Sequence, residues 1–255
     1  MILTREKKSS NSEESIFVTA SSHERSSDEW TGKILDFGKG VIYRMQRAFR
    51  PRRSCNRPGY CHQTITTRVY TMSDKLLRLI YDQGFRFSEE ATFKLASGKM
   101  SNFYIDCRVV NSLAAGKYFV SQMVYDKIAS LDIKAIGGPA LGAIPIADAV
   151  SYLSFLVGKD VSSFWIRKEP KGHGLKKWID GNVASGDRVV IVDDVITTGQ
   201  STIDALQRAR EAGLEVVKVV VMVDRQEDNG RQNIEKEGVE VEALYTINDL
   251  MKLRT

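Results

Sequence analysis

Apolar positions along residues 72–255 recur with two distinct periods, and the switching between them outlines a fold. In "SDKLLRLIYDQG" (73–84), Leu76, Leu77, Leu79 and Ile80 fall on one helical face, with Ser73 or Asp74 placed to cap the start and Gly84 to stop it. "FKLASGKMSNFYID" (93–106) alternates instead, predicting two short strands around a Ser-Gly turn. A helix follows over about 115–130. The segments "IKAIGGP", "VSSFWIRK", "DRVVIVDD" and "EVVKVVVMVDR" are then nearly continuous in apolar, β-branched residues. Helical stretches, "AIPIADAVSYLSFL" and "STIDALQRAREAG", separate them. Strands without polar alternation are covered on both faces, so the order predicts an α/β protein with a doubly wound, mainly parallel sheet flanked by helices.

Residues 1–71 have no such rhythm. "EKKSSNSEES" and "SSHERSSDEW" are rich in serine and charge, and "RAFRPRRSCNRPGYCHQ" is basic, with one short amphipathic piece near 34–49. The expectation is a disordered or non-native N-terminal extension, including one translated upstream of a true start at Met72, followed by a catalytic domain over 72–255. This segment carries 13 Lys/Arg against 7 Asp/Glu, leaving 24 against 25 for the remainder. The basic balance of the whole chain therefore belongs to the extension and is no argument for nucleic-acid binding by the main domain. Cys55, Cys61 and Cys107 are too few for a disulfide framework, and Cys55, Cys61 and His62 lack the second ligand pair of a zinc site. No apolar run has the length of a membrane span or a signal peptide, which leads to a cytoplasmic expectation.

The chemistry concentrates in "VVIVDDVITTGQST" (189–202). Val189 to Val192 read as strand, and Ser201 opens a helix that closes at Gly213. Asp193 to Gln200 would then lie at the carboxyl end of a central strand, where open α/β sheets bind ligands. Helix-start N–H groups and the hydroxyls of Thr197, Thr198 and Ser201 suit an anion, with Gly199 allowing backbone conformations closed to other residues. Asp193 and Asp194 repel that anion but accept hydrogen bonds from hydroxyls beside it. A ribose 5-phosphate satisfies both halves. Gln200 stands where a triphosphate-binding loop needs lysine, so a single terminal phosphate fits better.

This string resembles the phosphoribosyl-pyrophosphate signature of type I phosphoribosyltransferases, and four further stretches resemble the orotate branch of that family. "LASGKMSNFYIDCR" (95–108) is similar to its orotate-side motif and "GGPALGAIPIA" (137–147) to its pyrophosphate-side loop. "RKEPKGHG" (167–174) is similar to its mobile catalytic loop, and "VDRQE" (223–227) to the strand end whose arginine holds orotate. The resemblance implies a small N-terminal hood on the sheet and the following roles. Asp193 and Asp194 take the ribose hydroxyls, while Val195, Ile196, Thr197, Thr198, Gly199, Gln200 and Ser201 form the phosphate stretch. Thr197 and Arg225 contact orotate. Arg167, Lys171 and His173 cover pyrophosphate in a partner subunit's site and Lys168 serves its own, which implies a homodimer with shared active sites. Magnesium is the implied cofactor, with no protein ligand assigned. The chain departs from many members at Ala96 and Gly142, where they have lysine, and at Leu175, where threonine is common.

Breaking the bond between ribose and pyrophosphate builds positive charge on the sugar and negative charge on the leaving group. Arg167, Lys168 and Lys171 supply countercharge, and His173, flanked by Gly172 and Gly174, stands to donate a proton or hydrogen bond. Two rivals stay open at this stage: a purine or other pyrimidine phosphoribosyltransferase, for which Arg225 would be unnecessary, and a sensor that binds nucleic acid through residues 1–71.

Overall fold

The computed structural model describes residues 4–7, 16–19, 70–94, 98–170 and 178–254. It divides into two compact units, Met1–Thr71 and Met72–Thr255. In the first, β1 (Thr4–Lys7) and β2 (Ile16–Thr19) pair antiparallel. The 34–49 piece and Cys55, Cys61 and His62 lie outside the described residues.

The second unit opens with α1 (Met72–Leu79), whose last residues run into a π-helical turn, Ile80–Gly84. Four short strands follow: β3 (Phe85–Phe87), β4 (Phe93–Lys94), β5 (Met100–Ser101) and β6 (Phe103–Ile105). They pair as two antiparallel ribbons, β3 with β6 and β4 with β5, and with α1 they make the hood. The chain then runs through α2 (Cys107–Ser112), α3 (Ala114–Ile128), β7 (Ala135–Pro139), α4 (Ile144–Leu156) and β8 (Ser162–Ile166). It continues as β9 (Ile179–Gly181), β10 (Arg188–Ile196), α5 (Gln200–Glu211) and β11 (Glu215–Asp224). It ends with α6 (Gly230–Glu235), β12 (Val241–Thr246), α7 (Ile247–Met251) and a 3₁₀ turn.

The sheet order is β12-β11-β10-β7-β8-β9, parallel throughout except for β9, which pairs antiparallel with β8. Alternation along β10 explains its unbroken apolar run. Val190 and Val192 enter one core with residues of α1, α3 and α4, while Val189 and Ile191 enter the other with residues of α5 and α6. Strand order reverses between β7 and β10, so their carboxyl ends open a crevice at the switch point. β7 lies close to the backbone on both its sides. A Cβ on Gly138 would sit 2.0 Å from the Val192 carbonyl oxygen of β10, and one on Gly137 would sit 2.2 Å from the Phe164 carbonyl oxygen of β8.

Two expectations shift at this crevice. The strand carrying the acids runs on to Ile196, so Asp193 and Asp194 lie within it rather than in a loop, and the loop shrinks to Thr197–Gly199. The helix begins at Gln200, one residue before Ser201, with Gly199 left-handed (φ 80°) as its N-cap. Pairing with β11 through Ile196↔Asp224 is what holds those extra residues extended.

Candidate active site

Neighbouring residues of a strand point to opposite faces, and the two acids follow that rule. Asp193, 4% exposed, turns toward α5: its Oδ2 accepts hydrogen bonds from Thr202 Oγ1 (2.8 Å) and Ser201 Oγ (3.2 Å), and its Oδ1 from the Asp194 N–H (2.9 Å). Asp194 turns toward the loop after β7, where a Cβ on Gly142 would lie 2.5 Å from its Oδ1, an oxygen that also accepts the Val195 N–H (2.9 Å). Burial pushes the Asp193 carboxyl up to about 7, and the Asp194 charge adds to the rise. Burial also raises Asp194, against the pull of its own hydrogen bonds and the nearby Arg108 guanidinium. Arg108 is itself clamped by Asp106, Nε to Oδ1 and Nη2 to Oδ2, both at 2.9 Å. Cys107, wholly buried beside them, has its thiol raised by burial and the Asp194 charge, so it packs as an uncharged group.

Arg225 leaves β11 at the level where Thr197 leaves β10, and its backbone N–H donates to the Ile196 carbonyl (3.1 Å). Its side chain is only 3% exposed. The guanidinium donates from Nε to Glu227 Oε2 (2.8 Å) and from Nη2 to Ser101 Oγ (3.3 Å), and it lies over the Phe103 ring at 4.3 Å. Among the described residues Nη1 has no hydrogen-bond partner. The arrangement fixes a planar cation by one edge and leaves part of the fork for a ligand carboxylate. Phe103 is thus a buried platform for the arginine, while Tyr104 stacks on Phe93 (centroids 6.1 Å apart).

A second group of elements also converges. A cleft of about 420 Å³ is lined by Pro139 and Ala140 after β7, Arg167, Lys168 and Trp178 at the two ends of the segment between β8 and β9, and Ser201, Asp204 and Arg208 on α5. Arg167 ties the loop's base, donating its N–H to the Trp178 carbonyl (2.8 Å) and its Nε to Asp180 (2.5 Å). Trp178 lies under the Arg208 guanidinium (3.8 Å to the ring centre). Lys168 is exposed. Lys171, Gly172, His173, Gly174 and Leu175, like Ala96, lie outside the described residues. Sequence reasoning assigned no role to Ser101, Thr202 and Glu227, the groups that orient the acids and the arginine, although each lies inside one of the stretches singled out, 95–108, 189–202 and 223–227.

Hydroxyls at a helix start, a pair of buried carboxylates and a buried guanidinium, all at the carboxyl ends of β10 and β11, are the groups a phosphoribosyltransferase needs. The family profile described as a phosphoribosyl transferase domain matches residues 114–249. The orotate phosphoribosyltransferase of Aquifex aeolicus is 40% identical over 178 residues, covering 70% of this chain and 97% of that protein. That of Pyrococcus abyssi is 40% identical over 184 residues, covering 71% and 96%. Among solved structures, Mycobacterium tuberculosis orotate phosphoribosyltransferase in complex with Fe(III) dicitrate superposes with a TM-score of 0.62 at 28% identity, covering 70% of this chain and 98% of that one. The chain belongs to the orotate phosphoribosyltransferase family.

Proposed function

We propose that the chain transfers the 5-phosphoribosyl group from phosphoribosyl pyrophosphate to a ring nitrogen of orotate, giving orotidine 5′-monophosphate and pyrophosphate in de novo pyrimidine (UMP) synthesis. The observation that carries the choice of base is Arg225, a buried guanidinium held by Glu227 and Ser101 at the same sheet end as the acid pair. A neutral purine gives such a group nothing to bind, whereas the orotate carboxylate does.

In this reading Thr197 to Ser201 hold the 5-phosphate and Asp193 and Asp194 orient the ribose hydroxyls. As the C1–O bond breaks, the buried carboxylates lie near the developing sugar cation. Arg167, Lys168, Lys171 and His173 answer the charge left on pyrophosphate. Thr197 and Arg225 hold the incoming base edge-on to the vacated carbon. Magnesium fits as a companion of the substrate rather than of the protein. Among the described residues no three His, Cys, Asp or Glu side chains form a metal cage, and Asp193 already uses both oxygens. Asp194 is the carboxylate that would hold such an ion, and the ion would supply neutralisation of the diphosphate charge. The family resemblance supports a homodimer in which each catalytic loop serves its neighbour. Among the described residues no helix is long and apolar enough to cross a membrane, which is consistent with a cytoplasmic setting.

The test is loss of orotate absorbance with phosphoribosyl pyrophosphate and magnesium, run beside hypoxanthine, adenine and uracil. Consumption of orotate alone is expected; turnover of a purine instead would sink the assignment of Arg225.

A further inference from the structure

The phosphate loop has a back as well as a front, and its back rests on α6. Gly199 is so close to that helix that a Cβ would stand 2.6 Å from the Gly230 carbonyl oxygen and 2.9 Å from Ile234 Cγ1. Gly230 returns the constraint: a Cβ there would stand 2.2 Å from the Thr197 carbonyl oxygen. Beside it, the Asn233 side-chain amide donates from Nδ2 to the Thr198 carbonyl (3.1 Å) and to the Asp228 carbonyl (3.1 Å). The residues that bring α6 to this position are themselves in unusual backbone conformations. Gln226, Asp228 and Asn229 all have φ between 51° and 55°, a cluster of left-handed non-glycine residues that persists only where the surroundings impose it.

A trans peptide carries its C=O and N–H on opposite edges. With the Thr197 and Thr198 carbonyls both turned onto α6, the N–H groups of Thr198 and Gly199 are turned to the open side. That is the side of the first N–H groups of α5, which lack acceptors within their helix. Successive outward amides at a helix start form an anion-binding concavity. We infer that Asn233, seated by the close approach of Gly230, is a positioning residue that sets the polarity of this loop and so determines the affinity for the 5-phosphate. The inference rests on the reading of Thr197–Ser201 as the phosphate site and extends it to a residue 32 positions beyond Ser201.

The experiment compares the wild-type full-length chain with Asn233→Ala, Asn233→Asp and Gly230→Ala. It measures KM for phosphoribosyl pyrophosphate and for orotate, binding of ribose 5-phosphate by calorimetry, and Tm. Loss of the hydrogen bond to the Thr198 carbonyl should weaken phosphoribosyl pyrophosphate and ribose 5-phosphate about three- to tenfold in Asn233→Ala, with the orotate KM unchanged and Tm lowered by only a few degrees. Asn233→Asp cannot donate and sets a carboxylate against two carbonyl oxygens, so it should lose more than the alanine variant. Gly230→Ala should weaken phosphate binding through the same loop without removing the amide. A phosphoribosyl-pyrophosphate KM within twofold of wild type in Asn233→Ala, or equal weakening of both substrates, would overturn the inference alone. A wild-type chain that turns over orotate leaves the functional reading intact in either case. A wild-type chain that binds no ribose 5-phosphate overturns the loop's assignment, and the inference with it.

Discussion

Replacing Arg225 by alanine separates recognition of the base from everything else in the site, because the backbone contact that ties this residue to the phosphate loop survives the change. The Arg225 N–H still donates to Ile196, and Asp193 keeps its bonds to Ser201 and Thr202. What is lost is a nearly buried cation in reach of a ligand carboxylate. Hydrogen bonds to charged groups contribute about 1.5–3 kcal/mol, so the orotate KM should rise roughly ten- to 150-fold while that for phosphoribosyl pyrophosphate stays within about twofold. Part of the rise comes from Glu227, whose side chain is 33% exposed and would be left as an unpaired anion facing the substrate. Solvent screens a group this exposed, so its share should stay under about 1 kcal/mol. Arg225→Ala/Glu227→Gln should therefore recover up to about fivefold of the loss. Arg225→Lys keeps the charge but loses the fork held by Glu227 and Ser101, and should fall between wild type and alanine. Initial rates from orotate absorbance, with each substrate varied in turn, give both constants. Equal weakening of the two substrates, or an unchanged orotate KM, would refute the assigned role and leave Arg225 as a structural ion pair.

Phosphoribosyl-pyrophosphate binding should tighten as pH rises from 6 to 8, because Asp193, raised to about 7, holds Ser201 and Thr202 at the start of α5 more strongly once ionised; a flat profile in Kd would contradict it. The same shift makes the folded chain hold more protons than the unfolded one between about 4 and 7, so this group's stabilisation is full at low pH and fades as pH rises through 7. Asp193→Asn should accordingly lose activity yet raise Tm at pH 8 relative to wild type, with little gain at pH 4. Gly138→Ala should destabilise by about 1–3 kcal/mol or more in denaturant titration, since its Cβ meets the Val192 carbonyl inside the sheet. Lys171→Ala should lower kcat far more than it raises either KM, because the charge it answers develops in the transition state; unchanged turnover would remove it from the mechanism.

The central sheet was legible because strands covered on both faces leave a continuous apolar record: β7, β8 and β11 lie within stretches so marked, and β10 overruns its stretch only by Val195 and Ile196. The unread elements are those too short to show a period. β3 and β9 have three residues each and exist through pairing, Phe85↔Ile105 in one case and Trp165↔Asp180 in the other. α2 and α6 have six residues, under two turns. β12, "VEALYT", mixes polar and apolar positions because it is the sheet's outer strand and its residues Glu242, Ala243 and Leu244 are only partly covered. The site divides the same way. The acids and hydroxyls of 193–201 sit in one contiguous string whose composition betrays them, whereas the pairing of Ser101 with Arg225, 124 positions apart, comes from the tertiary fold alone.

The acid pair shows why a string can reveal a site and still conceal its workings. Two adjacent carboxylates look interchangeable in sequence, yet the alternation of β10 sends them into different surroundings. Asp193 is spent on Thr202 and Ser201, where it holds the first turn of α5 against the sheet and keeps the phosphate loop's exit fixed. Asp194 faces Gly142, whose missing side chain leaves its carboxylate room beside the pyrophosphate-side loop. Any side chain at 142 would occupy that room, so glycine there leaves the Asp194 carboxylate free of it. Burying both charges disfavours their ionised forms, and that cost falls when hydroxyls donate to them, as Thr202 and Ser201 already do for Asp193.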